Sequence, residues 1–341
     1  MSGSVSMSVS MSVSMSGSVM SGSVMSGSVG ALVGDYVAMR RGLGYRSRVQ
    51  ERALRAFARH LDGAGHRGPI PLETSLDWAS ATTSPDPCNP ARRLGMVRGF
   101  LRHLSAIDGE TEVPAPGLLG PAGHRTPPHV YSDREIAELL AAATGLAPVG
   151  GLRPHCYAVL LGLIACTGLR IGEALALTCE AVDLAQGVLT VRAGKRGRTR
   201  VVPLHPSALD PLRGYAQDRA RRFGPPRTDA AFFRTDRSDR IGYNSANHAF
   251  RLLRRRLGWT ATGRTRTPRV HDLRHRMVVR RIQSWHTHGV DVDSKIPVLA
   301  TYLGHVEVRE LYWYLSAVPE LMSIVAQRFA HFTAHDPAGA P

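Results

Sequence analysis

No hydrophobic period is visible over the first 29 residues, which hold only Met, Ser, Gly and Val in near-repeats such as Ser-Gly-Ser-Val-Met. Such a segment cannot bury enough side chain to offset its ordering entropy, which predicts a disordered tail over residues 1–30. Beyond about residue 33, apolar side chains fall at three- and four-residue steps: Val49, Leu54, Phe57, Ala58 and Leu61, and again Met96, Val97, Phe100, Leu101 and Leu104, with arginines between them. That period predicts amphipathic helices, parted by a turn-rich loop over 83–90. Together they describe a small, basic, all-helical domain over 31–112.

Pro114, Pro116, Pro121, Pro127 and Pro128 then mark a semi-stiff linker over 113–130. Ser132-Asp-Arg-Glu135, set ahead of Ile136, Leu139 and Leu140, has the spacing of a capping box and opens a second domain over 131–333, with 334–341 as a flexible C-terminus. Within it, Tyr157 to Ala165 is apolar on every side and predicts a buried helix, broken at Thr167-Gly168 and followed by another from Ile171. Segments 188–192 and 200–204 read as two strands around the turn Ala-Gly-Lys-Arg-Gly-Arg-Thr, and from Leu209 on the pattern is mainly helical. The expected fold class is mainly α with a small antiparallel β-sheet: an α+β second domain behind an all-helical first one.

Charge changes this picture. Lys and Arg number 43 against 27 Asp and Glu, a net charge of +16 that suits a polyanion, because each phosphate neutralised releases condensed counterions. An anionic membrane surface would use the same charge, but the longest apolar run, Tyr157 to Cys166, is too short to span a bilayer and no basic amphipathic helix stands out. Cys88, Cys156, Cys166 and Cys179 have neither CxxC spacing nor a paired pattern, which argues against a zinc site or a disulfide framework. With no secretory signal visible either, the expectation is a cytoplasmic, nucleoid-associated protein without membrane, metal or cofactor.

Five short segments carry candidate chemistry. In Thr167-Gly-Leu-Arg-Ile-Gly-Glu173, Arg170 opens a helix beside a glycine break, where a guanidinium meets free backbone N–H groups and suits an anion. In the hairpin Arg192-Ala-Gly-Lys195-Arg-Gly-Arg198, Arg196 and Arg198 suit the DNA backbone. Lys195 and Lys295 are the only lysines, so 41 of the 43 basic residues are arginines. Lysine, unlike arginine, gives up its proton readily, so Lys195 is either a proton donor or one more backbone contact; Lys295 reads as a surface residue. In His271-Asp-Leu-Arg274-His275 the first His and the Arg share a helix face. His271 and His275 are also four apart, like half of a metal site, but the Glu of HExxH is absent. Leu303-Gly-His305 follows, and nine residues after that His comes Tyr314. Taken singly, each of these side chains is as readily a surface or packing residue.

Taken in order, Arg, Lys, His-x-x-Arg, Gly-His and Tyr over residues 170 to 314 form a series that resembles the catalytic set of the tyrosine recombinase (phage integrase) family. The resemblance covers about residues 130 to 330 and, more loosely, the helical first domain, whose Arg-Arg-Gly-Leu-Gly-Tyr45 stretch is similar to the family's SAM-like core-binding domain and assigns Arg40, Arg41 and Arg46 to DNA. It implies that Tyr314 takes the 3′ phosphate, that Arg170 and Arg274 clamp its non-bridging oxygens, and that Lys195 protonates the departing 5′ oxygen. By the same resemblance His271 assists the tyrosine proton, His305 donates to the phosphate and Glu173 supports the site, with neither ATP nor metal required. The implied partners are double-stranded recombination sites, three further copies in a homotetramer, and accessory recombinases or DNA-bending proteins. The implied task is integration, excision or transposition of a mobile element. A stripe of Leu315, Val318, Leu321, Ile324, Val325 and Phe329 packs in cis or on a neighbouring subunit. Two departures stand out: Arg276-Met277 occupies positions where the family commonly has a small Ser or Thr after the second His, and the long stretch from Arg274 to His305 predicts an extra loop over 285–295. A type IB topoisomerase and an inactive, recombinase-derived DNA-binding protein are the alternative functions.

Overall fold

The computed structural model describes residues 27–45, 47–123, 127–192, 199–261, 266–304 and 311. Two compact units divide the chain, one up to Arg125 and one from Thr126 on. The first is all-helical: α1 (Val29–Gly42), α2 (Arg48–Gly63), α3 (Leu72–Ser80) and α4 (Asn89–Asp108). Most of the expected tail lies outside the described residues, but α1 begins at Val29, inside the segment expected to be disordered. The reason is tertiary. The Asp62 carboxylate of α2 accepts the N–H groups of Val29 and Gly30 at 2.8 and 2.9 Å, an anion set against the positive end of α1. Ser28 caps the same turn through Ala31 N–H. Val29, Val33, Tyr36 and Val37 then pack on Leu54, Phe57, Leu61 and Phe100. Val49, counted with the apolar face of α2, is instead exposed. Five residues ahead of Leu54, it is turned ~140° from the buried stripe at 3.6 residues per turn. Helix α3 lies where no element was predicted, and its Trp78 meets Phe57 edge-on at 5.0 Å.

The second unit runs α5 (Asp133–Thr144), α6 (Leu152–Thr167), α7 (Ile171–Ala176), β1 (Val182–Asp183), β2 (Val188–Arg192), β3 (Thr199–Pro203), α8 (Pro206–Phe223), α9 (Tyr243–Arg256), α10 (Val270–Thr287) and α11 (Val292–Leu303). The strands form one antiparallel sheet in the order β1-β2-β3, with Val188 opposite Pro203 and Arg192 opposite Thr199. The fold is therefore mainly α with a small antiparallel sheet, as the pattern of the sequence implies. Ser132 and Glu135 close the expected capping box at the start of α5. Helix α6 is apolar round most of its surface because it packs against α5, α8 and α10, leaving Cys166 exposed near its end.

A further expectation fails. The extra loop over 285–295 does not exist: α10 continues to Thr287 and α11 starts at Val292, leaving a connection of residues 288–291. Asp291 accepts the N–H of Asp293 at 3.1 Å as a helix cap, and Val292 and Ile296 bury against Val278 and Ile282. The polar run Asp-Val-Asp-Ser is thus a helix start rather than a loop, and Lys295 lies on the exposed side of α11.

Candidate active site

Two glycines end the helices that frame the site. Gly168 closes α6 and Gly304 closes α11, each at φ 67°, a conformation that favours glycine. Neighbouring side chains crowd the same positions. A Cβ on Gly168 would run into the Met277 side chain and stand 3.1 Å from Leu303 Cδ2, and one on Gly304 would stand 2.8 Å from Arg200 Nη1. The glycines of Thr-Gly-Leu-Arg and Leu-Gly-His are thereby explained by backbone geometry and close approach together.

The last carbonyls of a helix lack intrahelical donors and carry its negative end, and two guanidinium groups occupy these. Arg274, from the first turns of α10 and 1% exposed, donates Nη1 to Gly168 O at 2.7 Å and Nη2 to Leu303 O at 2.8 Å. Arg170, the N-cap of α7, reaches the next carbonyl, Gly304 O, through Nη1 and Nη2 at a long 3.4 Å. Consecutive carbonyls thus hold two cations from distant parts of the chain, on the turn that leads into His305.

Glu173 is the counter-charge. Oε1 accepts Arg170 Nη1 and Arg200 Nη1, both at 3.1 Å; Oε2 accepts Arg170 N–H at 3.0 Å and Arg200 Nη2 at 2.9 Å. Burial alone would raise this carboxyl, but the hydrogen bonds from Arg200 and the Arg170 backbone, with the charges of both arginines, hold it below the ordinary carboxylate range.

His271 and His275 meet edge to face, ring centroids 4.6 Å apart, on the first two turns of α10. Burial and the cations of Arg274, Arg269, Arg170 and Arg266 hold the His271 imidazole down at about 4. Part of this residue stays open to solvent, so the charges carry the direction more securely than burial does. Burial, then His271 and the cations of Arg269, Arg274 and Arg266, push the enclosed His275 down to about 3. Both rings are neutral at pH 7. A histidine whose folded value is depressed contributes stability that is full above its unfolded value near 6.5 and is lost as pH falls toward the folded value. Thermal midpoints should therefore drop as pH is lowered from about 6.5 to about 4, and His275→Gln should flatten the drop. An unchanged pH slope in that variant would refute the assignment.

The departure at Arg276-Met277 has a visible use. Arg276 donates Nε to Tyr131 O at 3.0 Å and pairs with Asp133, which Arg280 also contacts at 2.9 Å, so α10 is pinned to the start of α5. Met277 fills the space left by the missing side chain of Gly168. Asp272, fully buried, accepts the N–H of Arg269 at 2.8 Å and fixes the first turn of α10; Tyr131 Oη donates to Arg269 O at 3.0 Å.

The structure thus brings together Arg170, Glu173 and Arg274, with His271 in the field of both arginines. Lys195, Arg196, Arg198, His305 and Tyr314 lie outside the described residues, as does Arg46. In the first unit, Arg40 donates to Tyr36 Oη at 3.2 Å and lies over the Tyr45 ring, while Arg41 pairs with Glu51 at 2.5 Å. Among the described residues no three His, Cys, Asp or Glu side chains gather as a metal site, and no helix is long and apolar enough to cross a membrane. Sequence reasoning missed Arg200, one of 41 arginines. Its position in a strand, next to a hairpin of candidate chemistry, is the signal that was there to find.

Several known proteins resemble this chain in sequence or in fold. The sequence profile of the phage integrase family matches residues 132–320. A Sinorhizobium fredii protein named as an integrase/recombinase, y4rB, is 36% identical over 87% of this chain and 95% of its own length. The tyrosine recombinase XerD of Caulobacter vibrioides is 29% identical over 71% of this chain and 74% of its own. Among solved structures, a lambda integrase tetramer bound to a Holliday junction shares the fold at TM-score 0.58 and 15% identity, covering 81% of this chain and 77% of that one.

Proposed function

The chain belongs to the phage integrase family, and from that premise we propose that it cuts and rejoins DNA at specific sites through a covalent 3′-phosphotyrosine bond to Tyr314. The observation that carries this reading is the pair of guanidinium groups, Arg170 and Arg274, held on the consecutive carbonyls of Gly304 and Leu303 directly before His305. A phosphodiester in transfer gains charge on its non-bridging oxygens, and two planar cations fixed beside the turn into His305 suit that charge. Tyr314 supplies the attacking oxygen and takes the 3′ phosphate. Lys195 gives its proton to the leaving 5′ oxygen, and His305 donates to a non-bridging oxygen.

His271, neutral at pH 7, has a lone pair with which to receive or orient the tyrosine proton. A phosphate in the cleft offsets the same cations that depress it, and so brings the ring back toward its ordinary range. The phosphotyrosine bond conserves the energy of the cut phosphodiester, so rejoining proceeds by attack of a 5′ hydroxyl and needs no nucleotide. Arg40, Arg41, Arg46, Arg196 and Arg198 serve the DNA backbone. The assembly is a homotetramer that bridges two duplexes, its apolar tail stripe seated on a neighbouring subunit, and the task is movement of a mobile element.

The test is incubation of the full chain with a nicked suicide substrate built from the flanks of its own gene, with the protein–DNA adduct read on a denaturing gel. A metal-independent, chelator-resistant adduct at one strand position is the expected result. Binding without adduct would favour a DNA-binding protein that has lost catalysis, and relaxation of supercoils without strand exchange would favour a topoisomerase.

A further inference from the structure

Arg200 stands on β3 with only 13% of its side chain exposed, a largely enclosed cation whose whole fork is committed. Nη1 and Nη2 grip the two oxygens of Glu173 at 3.1 and 2.9 Å, and Nε donates to Tyr302 O at 2.9 Å. One planar group thus joins three segments of separate origin: β3, which directly follows the hairpin turn bearing Lys195; α7, which starts at Arg170; and the end of α11, which runs through Gly304 into His305. The glycine at 304 leaves room for this guanidinium, since a Cβ there would meet Nη1 at 2.8 Å.

We propose that Arg200 is a positioning residue for strand cleavage, which acts by keeping the Glu173 carboxylate from closing fully on Arg170. This rests on the assignment of Arg170 to the phosphate made above. The physical ground is competition for one guanidinium. Glu173 shares Oε1 between Arg170 and Arg200, and gives Arg170 a single side-chain contact rather than a fork. Without Arg200 a largely enclosed carboxylate loses two of four donors, and the nearest replacement is the second edge of Arg170. A buried charge that loses its partner is strongly driven to find another. A bidentate Glu173–Arg170 pair would occupy the donors that the phosphate needs, because carboxylate and phosphate fit the same planar fork.

The predicted signature is a rescue. Arg200→Met, in the full chain on the nicked substrate, should slow adduct formation about 10- to 100-fold, the scale of misplacing a reacting group by about an ångström. DNA affinity should change less than about threefold, because no backbone contact is removed. Adding Glu173→Gln to Arg200→Met should recover much of the lost rate, since a neutral amide does not compete for Arg170; a double-mutant cycle with the two single variants measures the recovery. Circular dichroism and thermal melting accompany each variant. Arg200→Lys, which keeps charge but cannot grip both oxygens and Tyr302 O together, should be slowed several-fold and equally rescued. It replaces Arg200→Met in the cycle if the latter does not fold. A rate within twofold of wild type for Arg200→Met, or a double variant no faster than the Arg200 variant alone, would overturn the inference and leave Arg200 a structural strut. Absence of adduct in the wild type is a separate result, which would overturn the proposed function instead.

Discussion

Tyr314→Phe should yield no covalent adduct on a nicked substrate while binding the same DNA within about threefold of wild type. One oxygen is removed and no charge, so the counterion release that drives association is untouched. The chemistry is another matter: deletion of a covalent nucleophile costs on the order of 10⁶ in rate in an enzyme where it has been dissected, below the detection of any gel assay. Tyr312 lies two residues earlier in the same segment and is the rival nucleophile. The nine-residue spacing from His305 places the assignment on Tyr314. Adduct that survives in Tyr314→Phe and vanishes in Tyr312→Phe would move it.

Lys195→Arg separates charge from proton. Arginine keeps the cation and the hairpin, so a purely electrostatic contact with the DNA backbone would lose well under about tenfold in cleavage. As general acid, Lys195 has no substitute in arginine, which does not release its proton, and cleavage should slow by ~10² to 10⁴. A 5′-bridging phosphorothiolate carries a sulfur that departs without protonation and should restore the variant's cleavage. A variant that stays slow on that substrate would end the proton-transfer role and leave Lys195 a positioning group. The prediction is independent of the Arg200 cycle, because the phosphorothiolate answers for the leaving oxygen alone.

Much of this protein was legible along the chain, for reasons that are local. Helix α6 announces itself through unbroken apolar character, the capping box of α5 through two side chains three apart, and the strands β2 and β3 through alternation around a turn. Each of these depends on neighbours within a few residues, so sequence order is enough. The series Arg170, Lys195, His271, Arg274, His305 and Tyr314 was legible for a different reason: a family resemblance proposes which distant residues belong to one site without saying how they meet.

Which of the described side chains meet is decided by tertiary structure. That Arg170 and Arg274 sit on adjacent carbonyls of one turn depends on where α6, α7, α10 and α11 end in space, and no period in the sequence encodes it. The same holds for the ordered start of α1, which rests on Asp62 from the neighbouring helix, and for the apparent loop over 285–295, whose polar residues are a helix cap only because Val292 and Ile296 have a core to enter. Arg200 is the clearest case. As one arginine among 41 it carries no mark of its own. Its three acceptors come from residues 27 and 102 positions away, and hydrogen bonds across such separations form only once the packed core has fixed both partners. Sequence by itself determined most of the elements and proposed the reacting side chains; the fold alone determined which carboxylate and carbonyls meet Arg170 and Arg274, because those partners come from distant segments.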